Sequence, residues 1–201
     1  MPNVVALPRR DEPVQPEPDG YPALRRWASC MASLVTMILA GFVVFTGIVL
    51  SLGLVFQGAF LWLAPGAGFL GSRPDGIAGL VSFGALPWPT RLAYAVTFTA
   101  TQVPVLFVLC HLRALLRDLA AGAVFAAGHA SRLRRMAIGL LAYAVAPAAG
   151  QILVRLVGHG VDLAWWRTSS LHALLLAAFL IVLSELIRAG QAIKDDRDGF
   201  V

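Results

Sequence analysis

Charge is what this sequence has least of. Only 13% of its 201 residues are Asp, Glu, Lys or Arg, where a soluble domain carries about 25%. No charge occurs from Ala28 to Ser72, from Leu92 to Leu112, from Met136 to Val154 or from Thr168 to Ser184. Runs of this length rarely recur within one soluble core, and about 20 apolar residues cross a bilayer at roughly 1.5 Å per residue. A soluble fold is therefore not expected. Cysteine is scarce too. Cys30 and Cys110 fall near the predicted cytoplasmic ends of their helices, where thiols stay reduced, and no histidines stand at zinc-ligand spacing beside them. Neither a disulfide framework nor a zinc site is predicted.

Other absences narrow the function. With the spans subtracted, no segment is long enough for a separate catalytic domain. No serine or cysteine has a nearby base in a recognisable motif, and no solenoid repeat is present. The first apolar run starts too late and is too long for a secretory leader. The sequence predicts no enzyme activity and no cofactor.

What is there marks membrane edges. Trp27, Trp62, Trp88, Trp165 and Trp166 lie at or near the ends of spans, where indole prefers the headgroup layer. The net charge of +5 is unevenly placed: 12 basic residues precede the first span, separate the second from the third or follow the fourth. Only Arg73, Arg91, Arg155 and Arg167 fall on the other side. This asymmetry puts both termini in the cytoplasm. The basic balance is thus a topology signal, with no direct nucleic-acid partner implied. The lipid bilayer is the predicted partner, and anionic headgroups are a natural contact for the arginines.

The predicted fold is all-α, an integral membrane bundle of four transmembrane helices. Residues 1–27 are expected to be a disordered cytoplasmic tail, rich in proline and acid to about Pro22. Residues 28–194 form the membrane domain and 195–201 a cytoplasmic C-terminal tail. The spans are Met31–Leu54, Leu92–Leu112, Met136–Val154 and Thr168–Ile187, the last helix extending toward Ala192. Residues 57–89 read as an outer loop, but Phe60, Leu61, Trp62, Phe69 and Leu70 are too apolar for a free one, so it should pack over the bundle mouth or lie in the interface. Leu112, Leu115, Leu116 and Leu119 carry the second helix into the cytoplasm until Gly122 stops it. Ser131 is a candidate cap for the third. Within that helix, Ala142, Ala146 and Gly150 form a stripe suited to close packing, and Pro147 should kink it.

Candidate chemistry is sparse. Glu185, with Arg188 at i+3, is either an intramembrane acid on an ion path or an ion pair near the headgroups. Gln102 and Gln151 either line a polar pathway or hydrogen-bond between helices. His111, His129, His159 and His172 are divided between the two sides of the membrane and are expected to be ordinary exposed histidines. The spelling Gly66-Ala67-Gly68-Phe69-Leu70-Gly71 lacks a βαβ context. Asp195-Asp196-Arg197-Asp198-Gly199 lacks the twelfth-position acid of a calcium loop.

Two stretches resemble the DUF2975 family of bacterial four-helix membrane proteins. In one, Leu112-Arg113-Ala114-Leu115-Leu116-Arg117-Asp118-Leu119 is followed by Gly122, Phe125 and Leu133-Arg134-Arg135. In the other, Glu185, Arg188 and Gly190 precede Ile193-Lys194-Asp195-Asp196-Arg197-Asp198. The resemblance covers the chain from about residue 28. Ala126-Ala127-Gly128-His129 departs from the family's polar turn, and Gly199-Phe200-Val201 from its usual ending. Membership implies the bacterial cytoplasmic (inner) membrane and, because some members are encoded beside small helix-turn-helix regulators, a regulatory partner.

The expected function is a non-enzymatic inner-membrane protein that binds, and regulates, a cytoplasmic or membrane partner. Its contact residues would be Arg113, Arg117, Arg132, Arg134 and Arg135 with Asp195, Asp196 and Asp198. A solvated basic face that only sets topology is the plain reading of the same arginines. The alternative function is a small transporter or transporter subunit using Gln102, Gln151 and Glu185.

Overall fold

A computed structural model describes residues 22–55, 60–64, 67–122, 128–158 and 168–198. Four helices dominate it: α1 (Pro22–Leu54), α2 (Trp88–Ala120), α3 (Gly128–Leu156) and α4 (Thr168–Asp198). Each is long and apolar enough to cross a membrane, and many large apolar side chains on α1 and α4 face outward. This is the pattern of helices whose outer surface meets lipid.

Sequence chemistry sets the helix limits. Pro22 opens α1, and Pro89 sits in the first turn of α2, positions where a missing N–H costs nothing. Residues 22–27, expected in the tail, are therefore the first turns of α1. At the other limit α4 continues through Asp198, beyond the boundary expected at residue 195. Residues 1–21 lie outside the described residues. Pro104 and Pro147 sit inside α2 and α3, which run unbroken through them. α2 stops as predicted. Gly122 has φ +89° and donates its N–H to the Leu119 carbonyl at 3.0 Å, a left-handed ending that favours glycine.

The helices pack chiefly in chain order, α1 on α2, α2 on α3 and α3 on α4. The α2–α3 contact depends on two glycines. A Cβ on Gly139 would lie 2.7 Å from Val108 Cγ2, and one on Gly150 would lie 2.0 Å from Thr97 Cγ2. Ala146 is buried between them in sequence, whereas Ala142 is exposed. The small-residue face thus runs through Gly139, Ala146 and Gly150 and leaves Ala142 out. α4 buries one stripe, Ser170, Ala173, Ala177, Leu180 and Ser184, at the three- and four-residue spacing of a single helix face.

The segment between α1 and α2 adds an element the sequence analysis did not anticipate. Strands β1 (Leu61–Ala64), β2 (Ala67–Leu70) and β3 (Val81–Ser82) form an antiparallel sheet in the order β2-β1-β3. Trp62 pairs with Phe69 on one side and Ser82 on the other. Its indole N–H donates to the Gly71 carbonyl at 3.2 Å, and the Arg73 guanidinium lies 5.8 Å from its ring, a cation–π distance. A short 3-10 turn, Phe83–Ala85, follows, held by Arg91, which donates to the Leu86 carbonyl at 2.8 Å and to that of Gly84. Ala67 to Leu70 of the glycine-rich spelling form β2, and Gly66 lies outside the described residues.

Two apolar clusters close the ends of the molecule. At the sheet end Leu63, Phe83, Ala93, Tyr94 and Val154 pack together. At the opposite, arginine-rich end the cluster is Leu133, Met136, Ala137, Ala177 and Leu180, flanked by Leu112, Leu115 and Ile187.

Candidate functional site

The basic end is where ionisable side chains are held in defined geometry. α2 reaches it with Arg113, Arg117 and Asp118; α3 leaves it with His129, Arg132, Arg134 and Arg135. Asp118 Oδ2 accepts a hydrogen bond from Arg132 Nη1 and lies 3.7 Å from His129 Nε2. The His129 side chain is only 3% exposed. From α1, Arg25 Nε donates to the Ala120 carbonyl at 3.3 Å, one of the terminal carbonyls a helix cannot satisfy internally. Three helices are thereby tied at one corner.

The predicted contact residues divide accordingly. Arg117, Arg134 and Arg135 are exposed, Arg113 is half-buried, and Arg132 is turned inward to Asp118. Asp195, Asp196 and Asp198 fall in the last turns of α4. The ion-paired corner itself was missed, and His129 is not the exposed histidine expected. One sequence signal was present: Asp118 is the only acid between Asp75 and Asp162, with arginines on both sides of it. Ser131 does not cap α3, because the helix already begins at Gly128, whose carbonyl accepts the Ser131 hydroxyl at 2.9 Å. His111 Nδ1 lies 2.9 Å from the Phe107 carbonyl, His172 is exposed, and His159, Trp165 and Trp166 lie outside the described residues.

The three intramembrane candidates are not brought together. Gln151 is buried in α3. Gln102 lines a cavity between α1 and α2 at the sheet end. Glu185 is 58% exposed on α4, near the basic end, and forms the i,i+3 ion pair with Arg188, Nη1 lying 3.4 Å away. Thr97, Thr99 and Thr101 each donate to the carbonyl one turn back, at 2.8, 2.8 and 2.9 Å. Cys30 and Cys110 are free thiols. Among the described residues no group of three or more His, Cys, Asp or Glu could hold a metal ion.

Four apolar helices, joined in chain order and closed by a sheet at one end and an ion-paired arginine corner at the other, define the class: a multi-pass membrane protein. A family model described as protein of unknown function (DUF2975) matches residues 78–200, more than half of the chain, and the chain belongs to that family. The match takes in α2, α3 and α4; it starts well after residue 28, where the resemblance was expected to begin, and leaves out α1, β1 and β2. No curated protein and no solved structure matches the chain.

Proposed function

We propose that this is a non-enzymatic protein of the bacterial cytoplasmic membrane whose basic end faces the cytoplasm and binds a regulatory protein partner there. The observation that carries this reading is the tied corner of α1, α2 and α3. Asp118 pairs with Arg132, His129 is buried beside Asp118, and Arg25 donates to the end of α2, so the helix ends stand as a preformed platform. Arg117, Arg134 and Arg135 are left outward-facing on it. A surface ordered before binding loses less freedom when a partner docks, and a cluster of arginines suits a partner with an acidic face. A small helix-turn-helix regulator is the partner class that family membership favours. The separation of Gln102, Gln151 and Glu185 is the reason for preferring binding over transport.

Two measurements test this. Reporter fusions at Phe125 and Val201 should report the cytoplasm, and fusions at Asp75 and Asp162 the opposite side; a cytoplasmic signal at Asp162 contradicts the topology. In nanodiscs, Arg117→Glu with Arg134→Glu should weaken binding of the proposed helix-turn-helix partner about tenfold, the sum of a few exposed charge contacts. Glu185→Gln should leave it unchanged. Proton or ion flux in reconstituted vesicles that disappears with Glu185→Gln would replace the binding reading by transport.

A further inference from the structure

α1 is fully buried against the rest of the bundle only near its ends, and its middle is at most half-buried. Ala28, Ala32 and Val35 are buried near the basic end and Gly53 at the sheet end, while no residue from Thr36 to Leu52 is buried. Small side chains bring α1 close to α2 at the first contact. At the second, Phe83 is inserted: a Cβ on Gly53 would lie 3.3 Å from its ring. Between the two contacts, under β1 and β2, lies a cavity of about 330 Å³. That volume falls at the lower edge of the range for small-molecule sites, about 300–1,000 Å³.

The lining is unusual in its chemistry. None of the side chains lining the cavity is charged, and five are aromatic. Gln102 lines it from α2, with Phe98 one turn away on the same face. Phe45 contributes from α1. Of the other polar side chains lining it, the Thr97 and Thr101 hydroxyls are already donating to α2 carbonyls and Tyr94 has an interaction of its own, which leaves the Gln102 amide as the donor to consider. None of the hydrogen bonds among the described residues involves that amide. An amide facing a largely apolar cavity is an arrangement that a ligand with an acceptor can stabilise.

Depth selects the ligand. Gln102 lies about 21 Å along α2 from Trp88, at 1.5 Å per residue, well inside a hydrocarbon layer about 30 Å thick. A phospholipid headgroup stays in the interface, and an acyl chain offers nothing for an amide to bond. A charged molecule would meet no counter-charge here and would be expelled. We propose that this cavity binds a neutral, lipid-soluble carbonyl compound, flat at its polar end, whose carbonyl accepts from the Gln102 amide while its ring packs against Phe98 and Phe45. The site is independent of the partner surface: it lies at the other end of the molecule and uses none of its residues.

The test uses the full chain in phospholipid nanodiscs, with a short-tailed benzoquinone as probe and dodecane as a probe without a polar end. The quinone should bind saturably and raise the melting temperature, and dodecane should not displace it. Gln102→Leu should weaken quinone binding about tenfold, the loss of one hydrogen bond to a carbonyl, without lowering the melting temperature of the protein alone. Ala95→Phe, which fills the cavity from α2, should abolish binding. The proposal is overturned if dodecane competes as well as quinone or if Gln102→Leu binds normally. It is equally overturned if Gln102→Leu destabilises the protein without probe, since the amide would then be holding helices together.

Discussion

The two ends of the molecule close the same helices by opposite means. At the basic end α1 approaches α2 through Ala28 and Ala32, and side-chain charges bind to carbonyls and to one another. At the sheet end the helices are kept apart by Phe83 and roofed by backbone pairing between β1 and its two neighbours. The first arrangement projects arginines outward; the second borders a cavity whose lining side chains are uncharged. The difference follows sequence composition. Arginine-rich helix ends can be tied locally, whereas the stretch between Ser51 and Leu86, with one acid and one arginine, relies on apolar burial, strand pairing and a few side-chain bonds to carbonyls from Trp62 and Arg91. The family match includes the whole α2–α3 part of the basic end but not α1, β1 or β2. One wall and the roof of the cavity therefore come from outside the matched region.

The severest way to break the comparison is to part α2 from α3, on which both ends depend. Gly150→Leu would drive a side chain into Thr97, 2.0 Å from where its Cβ would stand. Thermal unfolding in detergent should show a loss of about 3 kcal/mol or more, the upper range for overpacking. An unchanged melting temperature would mean that α3 does not pack there. Next in size is Asp118→Ala, which leaves Arg132 and His129 without their shared acid. A part-buried pair of this kind should cost about 1–2 kcal/mol. Faster amide exchange around residues 117–135, with none around 61–70, would show that the two ends are closed independently.

Smaller effects sharpen the contrast. Gly53→Ala should cost about 1 kcal/mol or less, because its methyl would press on the Phe83 ring at 3.3 Å, and exchange should rise only in the sheet. Ala142→Leu, on an exposed position of α3, should change stability by no more than about 0.5 kcal/mol. A clear loss there would restore the face first read from the sequence. Glu185→Gln should be equally mild by thermal unfolding, since both partners of its pair are largely exposed.

The legibility of this molecule follows the range of the forces involved. Spans, their order and the stop at Gly122 were readable because hydropathy and helix-ending chemistry are local. The sheet was not, since its strands are only four, four and two residues long. A cue did exist in Pro65-Gly66 between two apolar runs, the spelling of a tight turn. The α3 face was misphased for a geometric reason. Steps of four advance about 40° around a helix, so a stripe of Ala142, Ala146 and Gly150 drifts, whereas Gly139, Ala146 and Gly150 combine steps of seven and four and stay on one line. Burial of His129 could not be read at all, because it depends on how the start of α3 packs against Asp118 of α2. Gln102 was picked out for its polarity at depth; its neighbourhood, set by α1 and β1, was beyond any local pattern.

Packing in chain order has a consequence for how the molecule is made. α2, α3 and α4 each pack on the helix just before them, so no helix has to wait for a distant segment to be synthesised. Contacts that close short loops form fast, and N-terminal parts of a chain fold first as they emerge from the ribosome. α1, the sheet and α2 can be complete as a hairpin before α3 is translated. α3 then docks through Gly139 and Gly150, and α4 comes last, its single buried stripe meeting a surface already assembled.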